Sequence, residues 1–238
     1  MVSVAPIVPQ PIPKPIGERR MLFHSLDWQR YHTLRDILSR TGNIPFTYLN
    51  GPLEVTMPLE IHEFSARMIE LFIRILVVEL GMKLKTMGST TLEREELERA
   101  AEPDDAYYIQ NQPLVAGRMV NLEQDPPPDL VVEVDITHTD IDKPALYAGM
   151  GVPEFWRYNG EVWRIYELRD RQYHEVDASP TFPQVPKVKL YEFLATARQD
   201  EVEAEQALRQ WVCDILPTLT AWRYSEGFSS RNGIRVLE

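Results

Sequence analysis

The sequence predicts an α/β (α+β) protein in which a central mixed β-sheet is flanked by helices. Two observations carry this prediction. Short stretches rich in β-branched and aromatic residues occur along much of the chain, and segments with apolar residues three or four apart, typical of amphipathic helices, lie between them. The 238 residues, of which 44% are hydrophobic, are enough for one domain with a sizeable core.

Each predicted element has a local signal. A helix begins after Asp27, a suitable N-cap, and ends before Gly42. Asn50 and Gly51 form a tight turn between two strands in FTYLNGPLEVTM, and a long amphipathic helix covers residues 59–80. Further strands are predicted around residues 83–86, 106–109, 129–136, 154–158, 162–168 and 173–176, and helices near 142–150, 190–197 and 199–216.

Composition divides the chain into three segments. Residues 1–25 form a Pro-rich N-terminal arm, since five of the first fifteen residues are proline and favour extended chain. Residues 26–197 form the folded domain, and residues 198–238 form a C-terminal helical extension whose amphipathic face suits packing or dimerisation.

Charge and composition exclude several classes of protein. The net charge of −11 disfavours a protein that coats nucleic acid through bulk charge, but not a nuclease, whose carboxylate cluster is itself acidic. The single cysteine, Cys213, excludes an intrachain disulfide and a cysteine metal cluster. A secretory signal and a membrane-spanning stretch are not evident, so we expect a cytoplasmic protein without a membrane partner.

Motifs for other chemistries are missing from the sequence. It contains no P-loop and no G-x-S-x-G nucleophile elbow, and its five histidines show no zinc-ligand spacing.

The segment DPPPDLVVEVDIT carries the strongest chemical signal. On a strand, residues 130, 132, 134 and 136 make one apolar face, and the other face carries Asp129, Glu133 and Asp135. Glu133 and Asp135 are about 6–7 Å apart along a strand, close enough to approach one cation. A hard ion such as Mg²⁺ or Mn²⁺ would relieve the repulsion between their carboxylates. The alternative is a solvated polar face on an edge-exposed sheet.

Two other segments could contribute to the same chemistry. In EPDDAYYI, Glu102 and Asp104 share one face of an extended segment. Lys143 and Tyr147 stand four residues apart on a predicted helix and so on one face. A lysine beside a metal-bound phosphate could position the attacking water and neutralise charge, although an isolated lysine is more often a surface residue.

The segments EPDDAYYI, PPPDLVVEVDIT and KPALYAGMGVPEFW together resemble the Uma-two restriction endonuclease family of the PD-(D/E)xK nuclease superfamily, which is abundant in cyanobacteria. The resemblance covers about residues 27–197 and implies a restriction-endonuclease-like fold. It implies that Asp104 is the metal-binding aspartate and Glu133 the glutamate of the (D/E)xK strand. Two residues further on, where the superfamily has lysine, this chain has Asp135, and Lys143 is the natural substitute.

Two further comparisons with the family concern its other motifs. Many members carry a glutamate in the first strand where this chain has Thr47, so Glu54 or Glu63 could supply that acid. His62 with Glu63 could lie near the cleft, or be a pair on a helix surface. In GVPEFW, Glu154 and its neighbours match a family signature that we interpret as structural.

These inferences predict a Mg²⁺- or Mn²⁺-dependent endonuclease acting on nucleic acid, with DNA as the expected substrate. We expect a homodimer, because a symmetric pair can cut two strands. The predicted catalytic residues are Asp104, Glu133 and Lys143, and the predicted metal ligands are Asp104, Glu133 and Asp135. The accessory candidates are Glu54, His62, Glu63, Glu102 and Tyr147, and the candidate nucleic-acid contacts are Lys83, Lys85, Arg157 and Lys187.

Two other functions remain open. The first is a catalytically inactive nuclease-fold module with an interaction or regulatory role, which the net charge of −11 and Asp135 in the lysine position both favour. The second is a metal-dependent hydrolase of a phosphate that is not a nucleic acid.

Overall fold

The computed structural model describes residues 19–40 and 45–225. Strands and helices alternate along this part of the chain, which confirms the predicted mixed α/β class. The strands are β1 Arg19–Phe23, β2 Phe46–Leu49, β3 Leu53–Met57, β4 Lys85–Thr86, β5 Leu92–Arg94, β6 Arg99–Ala101, β7 Asp105–Tyr108, β8 Leu130–Val134, β9 Glu154–Tyr158, β10 Trp163–Arg169 and β11 Gln172–Val176. The helices are α1 Trp28–Ser39, α2 Glu60–Glu79, α3 Gln112–Val115, α4 Lys143–Met150, α5 Lys187–Ala197 and α6 Glu201–Ser225.

The smaller of the two sheets is antiparallel and has the strand order β1-β3-β2-β6-β5. Its centre is the predicted hairpin of β2 and β3. Asn50 and Gly51 in the turn have φ values of 49° and 118°, a backbone conformation that Asn-Gly pairs adopt readily. Helix α1 covers this sheet by packing Tyr31 against Phe46 and Tyr48.

The larger sheet has the order β11-β10-β9-β8-β7-β4 and is mixed, since β8 and β9 are parallel and its other neighbours are antiparallel. Helix α2 packs on one face of β8 through Phe72 and Ile73, and α5 and α6 in turn pack against α2. On the other face, Val131 packs against Leu146 of α4.

All five residues of β8 are buried because both faces of the strand are covered. The alternative of a solvated acidic face is therefore wrong: Asp129, Glu133 and Asp135 are each no more than 4% exposed. Asp129 has a structural role, since it accepts hydrogen bonds from the backbone N–H groups of Ile109 and Asn111 at 2.7 and 2.9 Å.

Helix α4 is the crossover between the parallel strands β8 and β9, as parallel pairing requires. Asp142 caps its first turn by accepting a hydrogen bond from the backbone N–H of Ala145 at 2.9 Å. The chain thus leaves β8 at the acidic residues, passes through residues 135–142 and begins α4 at Lys143. This crossover places the lysine and the acids at the same edge of the sheet.

Strand β1 lies within the predicted N-terminal arm and was not predicted from the sequence. Residues 19–23 pair with β3 in five antiparallel positions, with Arg20 opposite Thr56. The short strands β5 and β6 were also missed, and α6 extends to Ser225, beyond the predicted residue 216. The prolines of the predicted arm and the predicted helix stop at Gly42 lie outside the described residues. Over the ranges given above, no helix is long and apolar enough to cross a membrane.

Candidate active site

Glu133, near the end of β8, is the centre of a buried polar cluster. It is 3% exposed, its Oε2 accepts a hydrogen bond from Lys143 Nζ at 2.6 Å, and its Oε1 accepts one from the Tyr147 hydroxyl. Both donors come from one face of α4, as their spacing predicts. Burial raises the pKa of Glu133 to about 7 against the opposing effect of Lys143, and the charge of Asp104 adds to the rise.

Asp135 is enclosed by cations. Its Oδ1 accepts hydrogen bonds from Lys143 Nζ at 2.7 Å and from Arg20 Nη2 at 3.3 Å, and its Oδ2 accepts one from Arg157 Nε at 2.9 Å. Burial alone would raise the pKa of this carboxyl, but Lys143, Arg157 and Arg20 together hold the pKa below its usual value. Asp135, which stands where the family resemblance led us to expect a lysine, therefore binds the lysine that α4 supplies.

Lys143 bridges the two acids and is itself buried, with 5% exposure. Burial would lower the pKa of an isolated lysine, but the carboxylates of Glu133 and Asp135 raise the pKa of Lys143 above its usual range. The side chain is therefore a buried ammonium ion, and the alternative of a surface lysine is wrong.

Asp104 joins the second acidic segment to this cluster. It precedes β7, which pairs with β8, and its Oδ2 accepts a hydrogen bond from the backbone N–H of Val134 at 2.6 Å. Its Oδ1 lies 3.1 Å from Nε2 of His62, a buried residue of α2. The two acidic segments of the sequence thus meet in space.

A small cavity of about 20 Å³, room for a single ion or water, adjoins this cluster. Asp104, Glu133, Lys143 and Glu102 all line it. Glu102 accepts a hydrogen bond from the Thr91 hydroxyl at 2.9 Å, while its buried second oxygen has no hydrogen-bond partner among the described residues. Burial also raises the pKa of Glu102.

A larger cavity of about 310 Å³ opens beside the small one and shares Glu102, His62 and Asp104 with it. Glu63, another accessory candidate, also lines it, and the Glu63 carboxylate is 53% exposed and 3.7 Å from His62 Nδ1. The large cavity therefore adjoins the small one at Asp104, Glu102 and His62.

The donor set fits a hard divalent cation. Asp104 and Glu133 have carboxylate oxygens, which Mg²⁺ and Mn²⁺ prefer, and they line one cavity together with Glu102, one oxygen of which is buried without a hydrogen-bond partner among the described residues. The described residues contain no group of three or more His, Cys, Asp or Glu side chains arranged to hold a metal. The fit is therefore to an ion with two protein carboxylates that keeps several waters or binds a substrate phosphate.

Glu54 takes part in the cluster indirectly. It stands opposite Thr47 in the β2–β3 hairpin, is 2% exposed and accepts a hydrogen bond from Arg20 Nη1 at 2.5 Å. Arg20 was missed by the sequence analysis, because no local pattern shows that β1 pairs with β3. It contacts both Glu54 and Asp135.

The structure brings one of the four candidate nucleic-acid contacts, Arg157, to the cluster. The ammonium of Lys85 is bonded to the backbone carbonyls of Val115 and Arg118, and Lys187 lies 3.8 Å from Glu175. Lys83 is exposed on the surface.

The fold and the cluster define a mixed α/β protein with a buried carboxylate–lysine centre at the edge of its larger sheet. A family described as "Uma2: Putative restriction endonuclease" matches residues 28–214, and the chain belongs to this family. The resemblance inferred from the sequence is thereby confirmed, and the match extends beyond residue 197 into α6. Membership supports a nuclease function in general.

Comparison with solved structures gives a match to a crystal structure from Anabaena variabilis ATCC 29413 described as a putative nuclease belonging to DUF820. The two chains are 14% identical, with a TM-score of 0.44, over 63% of this chain and 90% of that chain. No curated protein matches the sequence.

Proposed function

We propose that the protein is a Mg²⁺- or Mn²⁺-dependent endonuclease that hydrolyses phosphodiester bonds in DNA. One observation carries the proposal: in a member of this family, Glu133 lies beside Asp104 on a shared cavity and is bonded to a buried lysine. Carboxylates that could hold a divalent ion, next to a fixed positive charge, are suited to phosphodiester hydrolysis.

Each side chain has a distinct part in the proposed reaction. Asp104 and Glu133 would hold the ion, which when bound supplies a Lewis acid and an activated water. The Lys143 ammonium places a proton donor and a positive charge beside Glu133. There it would stabilise the negative charge that develops on the substrate phosphate during hydrolysis. Asp135 holds Lys143 in place, and its role as a metal ligand stays a prediction.

Two further residues orient the carboxylates. The Tyr147 hydroxyl donates a hydrogen bond to Glu133 Oε1, and His62 contacts Asp104 Oδ1. Such outer partners fix the direction in which ligand oxygens point. The cavity of about 310 Å³ would admit the substrate next to Asp104, and a homodimer would present two such centres to the two strands of a duplex.

The proposal is tested by incubating supercoiled plasmid with the full-length protein and Mg²⁺ or Mn²⁺. We expect cleavage by the wild type, at least about a hundredfold less by Glu133→Gln and Asp104→Asn, and wild-type cleavage by Glu175→Gln, an exposed glutamate of β11. Cleavage that persists in Glu133→Gln contradicts the assignment. A panel including RNA and simple phosphate esters separates DNA hydrolysis from the other substrates.

A second candidate function is a nuclease-fold module without nuclease activity that binds a partner or regulates it. The observation that favours it is the position of Lys143, whose ammonium already bonds Glu133 and Asp135 at 2.6 and 2.7 Å. Thermal unfolding distinguishes the two functions. Stabilisation by Mn²⁺ that disappears in Asp104→Ala supports the nuclease, and no shift in the wild type supports the inactive module.

A further inference from the structure

The N-terminal strand β1 reaches the candidate active site through the side chain of Arg20. This residue precedes the region matched by the family, which begins at residue 28. Its side chain is 11% exposed and lines the same small cavity as Asp104 and Glu133. A long charged side chain on an edge strand normally extends into water, so the burial of Arg20 requires an explanation.

The guanidinium group of Arg20 joins strand β3 to the loop that follows β8. Nη1 donates to Glu54 Oε1 on β3 at 2.5 Å, Nη2 donates to Asp135 Oδ1 at 3.3 Å, and Nε donates to the Thr137 hydroxyl at 3.1 Å. Only the planar fork of an arginine can contact two carboxylates and a hydroxyl in this way.

Glu54 extends the same network along the chain. It accepts hydrogen bonds from the Thr139 hydroxyl at 2.8 Å and from the backbone N–H of Asp140 at 3.2 Å. The Thr139 hydroxyl in turn accepts one from the N–H of Ile141 at 3.3 Å. Arg20 and Glu54 therefore hold residues 135–141, most of the loop that connects the acids of β8 to Lys143.

We propose that Arg20 is a positioning residue for the hydrolysis: it fixes the loop of residues 135–142 so that Asp135 and Lys143 stay against Glu133. The effect on catalysis rests on the proposed function, whereas the contacts that hold the loop do not depend on it. Without the guanidinium, Glu54 and Asp135 lose the counter-charge that they share, and Thr137 loses the hydrogen bond from Arg20 Nε.

The kinetic test uses substitutions in the full-length chain. We expect Arg20→Ala to lower kcat about 10–100-fold, the range found when an outer residue that orients a metal site is removed, with KM changed less than about twofold. Arg20→Lys should recover part of this loss, because an ammonium keeps the charge but not the fork. Arg19→Ala, an exposed arginine of the same strand, is the matched control and should retain wild-type kcat.

Hydrogen exchange tests the loop independently of activity. In Arg20→Ala, the amides of Asp140 and Ile141 should exchange at least about tenfold faster, while Arg19→Ala leaves them unchanged. Unchanged exchange in Arg20→Ala overturns the inference. If the wild type cleaves DNA, a kcat of Arg20→Ala equal to that of the wild type overturns it as well. If the wild type does not cleave but exchange accelerates, the proposed function fails and the positioning of the loop by Arg20 stands.

Discussion

The charged residues around Glu133 are buried together with charges that compensate them. Lys143 lies between two carboxylates, and Asp135 lies among Lys143, Arg157 and Arg20. A buried ion pair contributes little net stability compared with apolar residues, whereas removing one partner is costly because the other charge stays buried. The cluster is therefore better explained by the chemistry it can perform than by a contribution to stability.

The substitution Lys143→Met tests this balance. It keeps most of the side-chain volume but leaves Glu133 and Asp135 without their shared ammonium, so the free energy of unfolding should fall by about 3–5 kcal/mol in urea at pH 7. Lys83→Met, at an exposed position, should change it by less than about 0.5 kcal/mol. The double variant Lys143→Met, Glu133→Gln should recover part of the lost stability. Equal losses of stability in Lys143→Met and Lys83→Met would refute this account.

Asp105 gives a pH-dependent prediction. It is 6% exposed, and burial raises its pKa from 3.8 to about 6 against hydrogen bonds from Tyr107 and its own strand, with a contribution from Glu70. Because the folded pKa is above the unfolded one, Asp105 stabilises the fold fully below about pH 3.8 and loses this contribution as pH rises through 6.

Between pH 4.5 and 7.5 this loss amounts to about 2 kcal/mol. Asp105→Asn does not titrate, so its free energy of unfolding should fall by about 2 kcal/mol less than that of the wild type over the same interval. Chemical denaturation at the two pH values measures both. An identical fall in the two proteins would show that Asp105 is already ionised at pH 4.5.

At the scale of elements, one buried glutamate joins β9 to the segment after β11. Glu154 is 1% exposed and accepts hydrogen bonds from the Trp156 indole at 2.5 Å, the Ser179 hydroxyl at 2.6 Å and the Thr181 N–H at 2.9 Å. This geometry agrees with the structural interpretation of GVPEFW, since Glu154 points away from the Lys143 cluster into its own set of donors.

Glu154→Ala leaves three buried donors without an acceptor, so the free energy of unfolding should fall by about 3 kcal/mol or more. Cleavage per folded molecule, measured well below the melting temperature, should stay at the wild-type level. Glu167, directly opposite on β10 and partly exposed, is the control, and Glu167→Ala should cost less than about 1 kcal/mol. A fully folded Glu154→Ala protein without activity would contradict the structural role.

The sequence predicted those elements whose signal is local. The Asn-Gly turn, the apolar spacing of α2 and the Asp27 cap of α1 are each set by a few neighbouring residues, and the observed elements agree. Strands β5 and β6 have three residues each, too few to show alternation. Strand β1 comes directly after a Pro-rich segment, and the prolines led the whole region to be predicted as an extended arm. These strands are defined by their partners, which a single sequence does not reveal.

The same distinction applies to the candidate site. Alternation on β8 and in EPDDAYYI, together with helical spacing on α4, brought Glu133, Asp104, Lys143 and Tyr147 within the predicted set. The family resemblance supplied the role of Asp104. The contacts of Arg20 with Glu54 and Asp135 span 34 and 115 residues of chain, so no spacing rule could find them. Burial of Asp135 was equally unpredictable, because it depends on α4 covering the face of the sheet.

At the scale of the whole molecule, the net charge of −11 opposes binding of a polyanion. The cations at the cluster are already paired with acids: Arg20 and Lys143 contact Glu54 and Glu133, respectively, and both of them and Arg157 contact Asp135. The charged residues that line the larger cavity are mostly acidic. They are Arg67 and the five acids Glu63, Glu70, Glu102, Asp104 and Asp105, with His62 beside them. The proposed nuclease therefore needs divalent ions to bring a phosphate backbone to the site, as well as for the chemistry.

DNA binding should accordingly depend on Mg²⁺ and involve few ionic contacts. We expect fluorescence anisotropy with a phosphorothioate duplex, chosen to slow cleavage, to show no binding without divalent ions and weak binding with Mg²⁺. At constant Mg²⁺, the logarithm of the association constant should fall with that of the salt concentration with a slope of about −2 to −4, corresponding to two to four phosphate contacts. Asp104→Asn should lose the response to Mg²⁺ while remaining folded. Tight binding without divalent ions, or a slope near −8, would indicate a basic binding surface and would place the nucleic acid elsewhere than at the Asp104–Glu133 cavity.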